Sequence, residues 1–140
     1  MRNRFILLSM TVVLTTAGLA HAAATTETEK IDGAYSACID RSGGVTSSML
    51  DCTGIASGKM DKRLNQTYKA LMGKLPKAKQ DLLKDAQRKW LEWHSAEQEL
   101  SYAVDPNEGG TLQTLTASGF AYNMLKQRVK DLEDYLTGLE

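Results

Sequence analysis

An all-α fold is predicted for this chain: three long helices in an antiparallel up-down-up bundle, preceded by a short disulfide-stapled helix. Three observations predict it. Apolar residues recur every three or four positions over three long segments, the spacing of one helix face. Breakers at Leu75-Pro76 and across residues 105–110 separate those segments. No alternating β-branched run occurs beyond the N-terminal stretch, so strands have no support. At 42% hydrophobic and 24% charged, the composition suits a single globular domain.

Residues 1–22 read as a secretory signal. Arg2 and Arg4 form a basic start, an apolar stretch runs from Phe5 to Leu19, and Ala20-His21-Ala22 is a small-x-small cleavage site. Export of this kind implies a periplasmic or secreted protein. Residues 23–30 lack an apolar period and are expected to form a disordered lead-in, leaving 31–140 as the domain. Without the signal the chain holds 15 basic and 17 acidic residues, a balance with no general pull toward nucleic acid or anionic lipid. Nothing after the signal is apolar for long enough to span a bilayer, so no membrane anchor is expected once it is removed.

Cys38 and Cys52 are the two cysteines of a chain that leaves the reducing cytoplasm. Thirteen intervening residues do not suit a redox pair, and no second pair or suitable histidine completes a zinc site. A structural disulfide is the better reading, and closing a loop of that size is worth about 3 kcal/mol.

Residues 31–39 can form a short helix that ends before Arg41-Ser42-Gly43-Gly44, where the glycines signal a reversal. Ser48 and Asp51 have capping-box spacing for the next helix. Its stripe is Met49, Cys52, Ala56, Met60, Leu64, Tyr68, Leu71 and Leu75, closed by Pro76. The following helix is expected from about Lys77 to Val104, with Leu82, Ala86, Trp90, Trp93, Glu97, Leu100 and Val104 facing the core. Thr111 is expected to cap the last helix, whose stripe is Leu112, Leu115, Gly119, Tyr122, Leu125, Val129, Leu132 and Leu136.

Counting residues from the two turns at about 1.5 Å each puts Asn65, Gln87 and Arg128 at one height, with Asp61 one turn below. An inward polar layer of Asp61, Asn65, Gln87 and Arg128 is expected, with Trp90 packed on it. Unpaired buried polar groups are costly, so such a layer persists only if its members satisfy one another. Helix register explains it more simply than chemistry does.

Catalytic, cofactor and metal sites have little support. His94 has no companion ligand, and Ser95, its neighbour in sequence, points elsewhere on a helix. Glu92, Glu97 and Glu99 look like a solvated face, and Gly109-Gly110 is a turn rather than a phosphate loop. Trp93 occupies a stripe position and is expected in the core, an exposed anchor being the alternative.

Several of these residues form an ordered set: Asp61-x-x-Leu64-Asn65-x-x-Tyr68, Leu83 leading into Gln87-Arg88-x-Trp90, Ala96-Glu97, Gly109-Gly110-Thr111, and Arg128 with Leu132. Over about residues 38–135 this set resembles the LprI-like lysozyme-inhibitor domain of bacterial exported proteins. The resemblance implies a helical exported domain, and some of its members inhibit lysozyme. Such domains usually carry two further cysteines where this chain has Gln98 and Phe120, and an arginine where it has His94. The paired absence fits the loss of one bridge between the last two helices.

The leading reading is therefore a non-enzymatic binding domain that inhibits lysozyme by occluding its cleft. The alternative is a structural or assembly protein of the cell envelope, whose partner is another envelope protein. If a loop makes the contact, Asp105, Asn107 and Glu108 are the candidates, because the segment is acidic, stiffened by Pro106 and set at a bundle end.

Overall fold

The computed structural model describes residues 25–139, so the expected signal at 1–22 lies outside the described residues. Four helices follow one another: α1 (Glu27–Arg41), α2 (Thr46–Lys74), α3 (Lys77–Ala103) and α4 (Thr111–Thr137). No strand occurs among the described residues.

The first helix is longer than expected. It starts at Glu27, inside the segment assigned to a disordered lead-in, because Thr26 and Glu29 form a capping box. The Thr26 side chain accepts from the Glu29 backbone N–H at 3.1 Å, and the Glu29 carboxylate accepts from the Thr26 N–H at 2.7 Å. The last turn of α1 reverses through Gly43 and Gly44, both at positive φ, where a side chain would strain the backbone. Cys38 and Cys52 are joined across that reversal, with Cα atoms 5.7 Å apart.

No side chain caps α2. Its N-cap is Val45, so Ser48 and Asp51 lie within the helix instead of opening it. Gly110 is likewise the N-cap of α4, and Thr111 is its first helical residue. Pro76 precedes α3, where its fixed φ suits helix entry.

The main seam of the core runs between α2 and α4, with α1 laid on α2 and α3 resting on α4. Ala56, Met60, Leu64 and Leu71 of α2 meet Tyr122, Val129 and Leu132 of α4, and Ile31 of α1 closes one side. Tyr35 of α1 packs its ring on Tyr122 with centroids 4.5 Å apart. The first helix is thus a full member of the core and more than a stapled turn.

Polar pairs seat it. Thr28 Oγ1 donates to Glu133 Oε1 at 2.8 Å, and Arg63 Nε donates to the same oxygen at 2.7 Å, tying α1, α2 and α4 together. Asp32 accepts from Tyr122 Oη at 3.0 Å and from Lys126 Nζ at 2.8 Å. Burial raises the Asp32 pKa, but the hydrogen bonds and charges of Lys126, Tyr122 and Lys130 outweigh it and hold the carboxyl below its usual range. Burial, followed by the bond to Asp32, pushes the Tyr122 hydroxyl well above the ordinary tyrosine value.

The orientation of α3 corrects the sequence reading. Leu83 is the single buried residue of this helix, while Leu82 is 70% exposed, Trp93 52%, Leu100 55% and Val104 68%. Of the expected core stripe, Trp90 packs against the core, while Leu82, Ala86, Trp93, Leu100 and Val104 face solvent. A step of one residue rotates a helix face by about 100°, and the face turned to α4 is the neighbouring one, with Leu83, Gln87, Trp90 and His94. Because α3 rests on α4 and barely touches α2, a narrow inner face suffices and the broad apolar one is left outside.

Candidate partner-binding face

The connection between α3 and α4 is built as a rigid tip. Asp105 Oδ1 accepts from the Asn107 backbone N–H at 2.7 Å and from the Asn107 side-chain amide at 2.9 Å, a local turn that asparagine and aspartate favour. Gly110 N–H then bonds to the Asn107 carbonyl at 3.0 Å, and Gly109 takes φ of +75°, open to glycine at no steric cost. Gln113, fully inside, clamps both ends: its amide donates to the Tyr102 carbonyl at 2.8 Å and its oxygen accepts from Gly109 N–H at 2.9 Å. Sequence reasoning passed over Gln113, although a glutamine three residues past a Gly-Gly turn is placed to reach back to it.

Of the three loop residues singled out from sequence, two hold the turn. The Asp105 and Asn107 side chains engage each other, whereas Glu108 is exposed and has no partner among the described residues.

Charge is distributed unevenly around this tip. Between Lys89 and Lys126 the chain has five carboxylates, Glu92, Glu97, Glu99, Asp105 and Glu108, and no lysine or arginine. The first half of α3 is different: Lys77 and Lys84 pair with Asp81, and Arg88 and Lys89 with Asp85, a ladder of local ion pairs. These pairs hold the Asp81 and Asp85 carboxyls below their usual range and lift Arg88, chiefly through side-chain hydrogen bonds. Glu92 ends the ladder through Arg88 at 2.9 Å. Beyond it, Glu97, Glu99 and Glu108 meet no cation among the described residues.

Trp93, Ala96, Leu100 and Val104 follow one another at three- and four-residue steps along the exposed side of this acidic half. Tyr102 stands beside a groove of about 520 Å³ between α3 and α4, which Glu99 and Thr114 also line. Gln98, at the position where a second bridge was expected to have been lost, turns along its own helix to His94, with Nε2 2.8 Å from Nδ1.

The predicted polar layer is divided. Arg128 Nε donates to Gln87 Oε1 at 3.1 Å, and its guanidinium lies over the Trp90 ring at 5.8 Å, as the height count suggested. Asp61 and Asn65 are not part of it. Both are exposed on α2, where the Asn65 amide bonds back to Asp61, at 2.9 Å to its carbonyl and 3.3 Å to its carboxylate. Counting from a turn gives height along a helix and says nothing of azimuth. The ionic contact between α2 and α4 is made instead by Arg63 and Glu133.

The family model for the lysozyme inhibitor LprI matches residues 38–132, most of the chain. This chain belongs to the LprI lysozyme-inhibitor family. LprI domains are inhibitors and not enzymes. No curated protein and no solved structure gives a significant match. No group of three or more His, Cys, Asp or Glu able to hold a metal occurs among the described residues, and no helix there is long and apolar enough to cross a membrane.

Proposed function

We propose that this protein is an exported inhibitor of lysozyme, acting in the periplasm or outside the cell by covering the enzyme's glycan cleft with the α3–α4 tip. One observation carries the reading. The half of α3 without internal ion pairs is also the half that shows Trp93 and Leu100 to solvent, beside carboxylates that no cation neutralises. An exposed aromatic on a helix half that also carries the unpaired carboxylates Glu97 and Glu99 has the composition of a binding hot spot, and its sign suits a cationic enzyme surface. Glu108 is the loop residue positioned to reach across, while Asp105 and Asn107 keep the loop in shape.

Titration of the purified protein into lysozyme acting on cell-wall substrate tests this. Stoichiometric inhibition that weakens as salt is added is expected. Glu108→Ala is expected to slow association and weaken inhibition several-fold, with no change in melting temperature. Full lysozyme activity at a large excess of the protein would leave the envelope-assembly reading in its place, and co-purification would then name the partner.

A further inference from the structure

Arg128 is 9% exposed, yet no carboxylate among the described residues pairs with it. Its interactions are the neutral Gln87 oxygen and the face of Trp90, and its Nη2 is buried without a hydrogen-bond partner. Desolvating a guanidinium is expensive, and buried charges are nearly always matched by a counter-charge. The same residue lines an open groove of about 630 Å³ whose other walls are mostly apolar, from Leu71, Leu75, Leu82, Leu83 and Tyr135. Lys79 adds a second cation at its edge, opposed by Asp134. The groove lies between the ends of α2 and α4 and the start of α3, away from the acidic tip.

We infer that this groove binds a free long-chain carboxylate, its alkyl chain along the leucines and its head group on Arg128. The chemistry is specific in both parts. A guanidinium with N–H groups left unpaired donates to a carboxylate, and an apolar trough of this size suits a chain of methylenes. This assignment is independent of lysozyme binding, since it uses neither Trp93, Leu100 nor Glu108.

Sodium dodecanoate, kept below its micelle concentration and titrated calorimetrically into the purified protein, is the test. Saturable one-to-one binding is expected, weakened at least tenfold by Arg128→Met. Because Arg128→Met also removes the bond to Gln87 and the contact with Trp90, its melting temperature is expected to fall by a few degrees, and the titration is run well below it. Ala86→Trp, which fills the groove from an exposed position and leaves the arginine in place, is expected to abolish binding. Dodecyltrimethylammonium, with the same tail and opposite charge, is expected not to bind. The assignment is overturned by the absence of saturable dodecanoate binding, by equal affinity in Arg128→Met, or by equal affinity for the ammonium.

Discussion

α2 and α3 are nearly the same length, 29 and 27 residues, and both repeat apolar residues at three- and four-residue intervals. In α2 that stripe is the core: Met60 is fully buried, flanked by Ala56 and Leu64. In α3 most of the equivalent stripe is left in water, Trp90 excepted. The difference is one of neighbours. The second helix lies between α1 and α4, whereas α3 spends one narrow face mainly on α4 and meets α2 near their shared turn, where Gln80 donates to the Met72 carbonyl. Amphipathic spacing thus reports that a face is apolar without saying what, if anything, covers it; on α3 we propose that a partner does.

The comparison can be broken first by truncation. Met60→Ala is expected to cost about 3 kcal/mol, and Leu100→Ala less than about 0.5 kcal/mol, by chemical denaturation. Similar losses at the two sites would mean that α3 is packed by something within the chain. Replacing Cys38 and Cys52 together by serine is expected to cost nearly as much as the core change, about 3 kcal/mol. Because α1 lies on α2, its amides should then exchange faster while those of α3 are unaffected.

Smaller still is the effect of acid on the seat of α1. The folded chain holds Asp32 below its ordinary range, so folding favours the ionised form. That contribution is complete above the unfolded value of 3.8 and is lost as pH falls through the lower folded value. Asp32→Asn is therefore expected to melt lower than the parent near neutrality and to lose less of its stability from about pH 4 downward. An unchanged acid limb of the melting curve would remove Asp32 from the account.

Much of the framework could be read from residues. Pro76 and the 105–110 run mark the turns, the spacing from Cys52 to Leu71 marks the core face of α2, and two cysteines in an exported chain mark the bridge. The start of α1 was also written in the chain, as Thr26-x-x-Glu29, but it lay in a polar stretch without apolar period. What could not be read was rotation. The seat of α3 is set by Leu83, by Trp90 with Gln87 on Arg128, and by Gln113 holding Tyr102, contacts made across the fold, and a shift of one residue turned its apolar stripe outward. The same blindness to azimuth put Asp61 beside Arg128 in the sequence reading and missed Arg63 with Glu133. At the tip, composition singled out an acidic segment, but which carboxylate is available depends on the turn that Asp105 makes with Asn107.

The most direct test of the central claim is the double variant Trp93→Ala, Leu100→Ala, followed by melting temperature and by lysozyme inhibition in one preparation. An unchanged melting temperature with inhibition weakened at least tenfold is predicted. Inhibition equal to that of the parent, or a loss of stability like that of a core truncation, would contradict it.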